Sequence, residues 1–187
     1  MKNNQKLKTI LICAAIITYL VVIDQITKYL AVLHLADGKV TFIEGLIDFR
    51  LVYNTGFAFG LGEGFQILWG IVSILGCIVI GYFFRYADFK KNLFFTIILI
   101  LLFAGTFGNM IDRLTSGKGV IDFVEPTFIN FAVFNVADSF VTVGAFLLAF
   151  YVLFIYKEPD KKTKKDKTEE NIITEESPVE DEVKNND

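Results

Sequence analysis

Residues Gly119–Ser139 read GVIDFVEPTFINFAVFNVADS. Two carboxylates bracket the stretch, Asp122 and Asp138, and most of the residues between them are apolar or aromatic. Asp138 stands near the start of the run FNVADSFVTVGAFLLAFYVLFIY, which has the length and apolarity of a membrane-spanning helix. A carboxylate at that depth is costly and by default marks function. Two such groups brought together do not both ionise easily, so the pair would share a proton near neutral pH. One Asp is then a base toward water and the other an acid, which is the chemistry of aspartyl proteolysis at a membrane surface.

The rest of the chain supports a membrane setting. Of 187 residues, 53% are hydrophobic and 15% aromatic; 20 Phe against only 3 Pro suits lipid-facing helices better than a soluble core. The net charge of −3 hides a segregation, because the segment after Tyr156 is strongly charged and acidic while the remainder is slightly basic. There is no basic face for nucleic acid. Cys13 and Cys77 both fall in apolar runs and read as small buried hydrophobes, not as a disulfide. With 1 His in the chain, a multi-His metal site is excluded, and no cofactor is implied.

The sequence predicts an α-helical membrane protein with four transmembrane helices, at about 9–33, 65–84, 93–111 and 136–156. A small extracytoplasmic β-sheet is expected between spans one and two, in a β-rich segment at about 38–60. Val40, Phe42 and Ile43, then Ile47, Phe49, Leu51 and Tyr53, suggest two short strands with a turn near Glu44–Gly45. Gly56, Gly60, Gly62 and Gly64 suggest a flexible approach to the second span. The first apolar run follows a short basic segment, as a signal peptide would, but it is too long and no small-x-small cleavage pattern follows, so it reads as a retained span. Residues 1–157 form the membrane domain, and 158–187 a charged tail expected to be disordered.

Orientation follows from the distribution of Lys and Arg. Lys2, Lys6 and Lys8, then Arg85, Lys90 and Lys91, and the Lys-rich start of the tail fall on one side. On the other, basic residues are balanced by acidic ones. Both termini are therefore expected in the cytoplasm, with the strands and both bracketing carboxylates outside.

Four polar clusters lie at or beside the outer ends of the spans. In DQITK, Asp24 and Lys28 are spaced i, i+4 and can pair as a structural tie. In VYNTGFAF, Asn54 is either a turn residue or a group that orients a peptide carbonyl. In GNMIDR, Asn109, Asp112 and Arg113 share a helical face by spacing, with Gly105 and Gly108 allowing close helix approach. Asp112 and Arg113 either cap the helix, or Arg113 binds a lipid phosphate or substrate carbonyl. In FNVADS, Asn135 and Asp138 are i, i+3, and an N-cap role for Asp138 stands beside the catalytic one. Asp122, alone, reads as a loop carboxylate whose apolar flanks hold it inward.

Taken in order and spacing, DQITK, YNTGFAF, GNMIDR, GVIDF and FNVADS resemble the lipoprotein signal peptidases of bacteria, the type II signal peptidases. The resemblance covers Met1 to about Lys157. It implies a four-span aspartic endopeptidase of the bacterial cytoplasmic membrane that cleaves prolipoproteins on the amino side of a diacylglyceryl-modified cysteine. By motif, Asp122 and Asp138 match the catalytic pair, and Asn54, Asn109, Arg113 and Asn135 the polar surround. Asp24 matches an Asp regarded as mainly structural, and Lys28 and Asp112 are likewise read as structural. The strands resemble the family's cradle, Phe128–Phe134 its lid, and globomycin its inhibitor. Membrane lipids are expected partners. Two rival readings remain at this level: a small proton-coupled transporter, which would place polar groups near span centres, and a noncatalytic membrane scaffold.

Overall fold

The computed structural model describes residues 2–56 and 65–156. Most of the YNTGFAF–glycine approach to the second span and the charged tail lie outside the described residues. Four helices carry the architecture. They are α1 (Lys2–His34), α2 (Gln66–Phe83), α3 (Leu93–Thr115) and α4 (Val136–Phe150). A 3-10 turn, Phe84–Tyr86, ends α2, and a π-helical turn, Tyr151–Ile155, extends α4. The stretches Asn4–His34, Ile67–Tyr86, Leu93–Thr115 and Val136–Ile155 are each long and apolar enough to cross a bilayer. The apolar side chains that α1, α2 and α4 expose, such as Leu11, Ile67, Ile78 and Phe146, would be a liability in water and are ordinary against lipid.

α3 is the central helix. It packs against α1, α2 and α4, and it supplies the fully buried Thr96, Ile98 and Ala104. Glycines set how closely its neighbours approach. A Cβ on Gly105 would collide with the Ala137 carbonyl and Val141 of α4, and one on Gly108 would collide with the Asp24 carboxylate of α1. These are the two glycines in which the sequence pattern placed close packing. Helix α3 also runs through Asp112 and Arg113 to Thr115, past the expected end near 111. Charged residues do not stop it because Asp112 is paired inside the fold.

The sheet has three antiparallel strands in the order β1–β2–β3: β1 Val40–Ile43, β2 Ile47–Asn54 and β3 Val120–Pro126. The first two are the strands expected between spans one and two, joined through Gly45 at φ 73. The third was read as loop. VIDFVEP carries two acids and a proline, which weaken its strand signal, and its partner is distant in sequence. Val52 faces Asp122, Tyr53 faces Ile121 and Asn54 faces Val120. Beneath the sheet, Phe123 packs with Ala31 and Leu35 at the end of α1, against Phe49 and Leu51. A single bridge from Val124 to Phe134 folds the following segment back, leaving Phe128, Ile129 and Phe131 exposed.

Candidate active site

β3 and the start of α4 deliver the two bracketing carboxylates. Asp122 lies on β3 and is 2% exposed, not a surface loop residue. Asp138 is the third residue of α4 and is partly buried. Asn135 precedes that helix in extended conformation and closes a capping box. Its side-chain oxygen accepts the Asp138 backbone N–H at 2.8 Å, and the Asp138 carboxylate accepts the Asn135 backbone N–H at 3.1 Å. The N-cap is therefore Asn135 and not Asp138, which stands at N3 and closes the box with only one carboxylate oxygen.

Three asparagines hold the carboxylates. Asn135 Nδ2 donates to Asp122 Oδ1 at 2.7 Å, and Asn54 Nδ2 donates to Asp122 Oδ2 at 3.1 Å. Asn109 Nδ2 donates to Asp138 Oδ1 at 2.7 Å. Asn54 also makes the turn read for it, its side-chain oxygen accepting the Gly56 N–H at 3.0 Å, while its amide serves Asp122. Burial, and then repulsion from Asp138, push the Asp122 carboxyl up to about 7, against the two amide bonds that favour its charged form. Near neutral pH it holds a proton a substantial part of the time.

Behind the asparagines is a buried ionic core. Lys28, 1% exposed, donates to Asp24 at 2.9 Å, to Asp112 at 2.8 Å and to Asn109 Oδ1 at 2.9 Å. These contacts satisfy all three ammonium donors. They also fix Asn109, since a lysine only donates and the amide oxygen must face it. Asp112 accepts the Ile121 N–H at the start of β3 at 3.2 Å, and Asp24 accepts the Ala137 N–H in the first turn of α4 at 2.9 Å. Gln25 bridges the two acids, donating to Asp24 and to Asp112 at 3.1 Å each. Among the described residues no buried side-chain polar atom lacks a partner.

The suggested Asp112–Arg113 cap does not form as such. Adjacent residues on a helix point in different directions, so Asp112 turns to Lys28 of α1 while Arg113 turns to α2. There its guanidinium donates to Ser73 Oγ at 3.3 Å, and it stands within electrostatic reach of Asp122, Asp138 and Asp112. Ser73, whose hydroxyl is bonded to the Trp69 carbonyl at 2.8 Å, was missed in the sequence. One serine inside an apolar span carries no signal of its own. Cys13 and Cys77 are free and buried. Among the described residues no three His, Cys, Asp or Glu side chains converge as a metal site.

The family model described as Signal peptidase (SPase) II matches residues 16–154. The chain belongs to the signal peptidase II family. The lipoprotein signal peptidase of Streptococcus pyogenes serotype M3 is 39% identical over 144 residues, covering 75% of this chain and 90% of that protein. Its counterpart from serotype M5 is 38% identical over the same share. A solved bacterial membrane enzyme, obtained by the in meso method, superposes with a TM-score of 0.68 at 32% identity, covering 80% of this chain and 94% of that one. As a signal peptidase II, the protein is a multi-pass membrane peptidase that removes signal peptides. The transporter reading has no support among these relatives.

Proposed function

We propose that this signal peptidase is an aspartic endopeptidase in which Asp122 and Asp138 share one catalytic proton. Its substrates are bacterial prolipoproteins, cut on the amino side of the diacylglyceryl cysteine. The observation that carries the reading is the position of Asn135. Its amide donates to Asp122 while its backbone N–H bonds Asp138, so one residue ties both carboxylates into one unit. The name lipoprotein signal peptidase borne by the streptococcal relatives supports the substrate class.

In this mechanism Asp138, in the first turn of a helix that favours negative charge, takes a proton from a water molecule. The water oxygen attacks the scissile carbonyl carbon, and Asp122 donates its proton to the carbonyl oxygen. Asp138 then gives its proton to the leaving amine as the C–N bond breaks, and Asp122 takes one back from the intermediate's hydroxyl as the carbonyl reforms. Asn109, Asn135 and Asn54 hold the carboxylates. Arg113 steadies the substrate backbone or lipid phosphate, and Asp24, Lys28 and Asp112 support the frame. Both termini lie in the cytoplasm, with the carboxylates toward the outer face, where the substrate's lipid anchor lies. Phe128–Phe134 covers the site, and globomycin-type peptides compete for it.

The test is a gel-shift assay on a lipid-modified prolipoprotein. Asp122→Asn and Asp138→Asn should each abolish cleavage in protein that still inserts and unfolds cooperatively. The double variant should be little worse than either alone, because the pair acts as a unit. Near-normal turnover by either single variant overturns the two-carboxylate mechanism.

A further inference from the structure

A second feature of the molecule lies away from the carboxylates. α1 and α2 each pack on α3 but scarcely on each other. The gap between them is a cavity of about 700 Å³, walled by Ile10, Ile17 and Val21 of α1 and floored by Phe103 and Phe107 of α3. Its lining is apolar except for Thr18 and two exposed cations at one mouth, Lys6 of α1 and Arg85 at the end of α2.

We propose that this trough is a binding site for an anionic phospholipid, with an acyl chain along the α3 floor and the phosphate between Lys6 and Arg85. The length of the trough suits an acyl chain. The lining runs along α1 from Lys6 to Val22, roughly 24 Å at 1.5 Å per residue. The lining is continuous over that length, which suits an extended acyl chain lying against Phe103 and Phe107.

Charge selects the head group. The Arg85 guanidinium lies 3.7 Å from the centre of the Tyr82 ring and 4.5 Å from that of Tyr86, and it donates to the Tyr86 hydroxyl. The rings hold the fork at the mouth of the trough and leave further N–H donors for a phosphate. Lys6 adds a second, flexible cation. The same charges repel the basic n-region of a signal peptide. The substrate's own lipid is excluded by distance, since Asp24, which borders the candidate active site, lies roughly 27 Å along α1 from Lys6. Which leaflet supplies the lipid rests on the topology proposed above; the binding itself does not.

The experiment uses delipidated full-length protein in detergent, with thermal unfolding and native mass spectrometry as readouts, neither of which depends on turnover. Phosphatidylglycerol should raise the Tm by several degrees and appear as one retained lipid per chain. Phosphatidylcholine with the same acyl chains, and inorganic phosphate alone, should do neither. Arg85→Gln with Lys6→Gln should abolish the difference between the two lipids. Gly81→Leu fills the trough from α2, where an added Cβ would meet Phe103 at an ordinary 3.9 Å, and should abolish lipid retention in a folded protein. Equal protection by both lipids, full protection of the charge variant, or a retained second protein copy overturns the proposal.

Discussion

The Asp24 carboxylate accepts the backbone N–H of Ala137 at 2.9 Å, across 113 positions of sequence. The bond ties the first span to the first turn of the helix that carries Asp138. The other carboxylate oxygen pairs with Lys28 at 2.9 Å. A residue that looks like half of a local ion pair is therefore also what positions α4.

Replacing Asp24 by Ala orphans the Ala137 N–H and removes one of the two carboxylates on buried Lys28. Breaking a buried pair commonly costs 3–5 kcal/mol, and because Asp112 and Asn109 remain, a loss of about 3 kcal/mol is expected. Asp24→Ala combined with Lys28→Met should cost less than the sum of the single changes. Thermal unfolding in detergent, run as a double-mutant cycle, measures this.

Asn135 separates helix capping from carboxylate positioning. Asn135→Ser keeps a good N-cap but loses the amide donated to Asp122. Because the lost amide also served the Asn109 oxygen and the Ile121 carbonyl, stability should fall by about 1–3 kcal/mol, while kcat falls about 100-fold, the scale on which small misplacement of a reacting group is felt. A parent-like kcat would mean that Asn135 only caps the helix.

The raised Asp122 carboxyl gives a defined pH dependence. The unfolded chain releases this proton near 3.8 and the folded chain near 7. Between those values the folded state holds a proton that the unfolded state has lost. Its stabilising effect is complete below 3.8, declines as pH rises, and is gone above about 7. Asp122→Asn should lack this slope, so its Tm relative to the parent should rise from pH 4 to 7 and then level off. For the parent, kcat/KM should fall above about 7 as the catalytic proton leaves.

Gly119 immediately precedes β3 with φ 104, and a Cβ there would collide with the Asn54 carbonyl. Gly119→Ala should therefore destabilise by about 1–3 kcal/mol and lower turnover, since it disturbs Asn54 and Asp122 together. Gly117, at φ 62 with open space around it, is the control. There Ala should cost only about 1 kcal/mol and leave turnover unchanged. Equal effects would show that close approach at Gly119 is not limiting.

Legibility differed from element to element. The spans could be read directly because a bilayer demands about 20 apolar residues in a row, and hydropathy is a property of local sequence. The Asp24–Lys28 pair was legible for the same local reason, as i, i+4 spacing on a helix brings the two together. β1 and β2 were visible from β-formers flanking a Gly turn. β3 was not, because its strand character comes from pairing with β2 and not from its own composition.

The sequence by itself determined four helices, a β-hairpin between the first two, and which polar residues cluster at or beside the ends of the spans. It left open which polar residue meets which. Only the tertiary structure decided that Lys28 serves Asp112 and Asn109 as well as Asp24, that Arg113 turns to Ser73, and that Asn135 joins Asp122 to the start of α4. Those contacts link residues far apart in the chain. The Lys28 contacts depend on the glycine-permitted approach of α1 to α3, which hydropathy and periodicity do not encode.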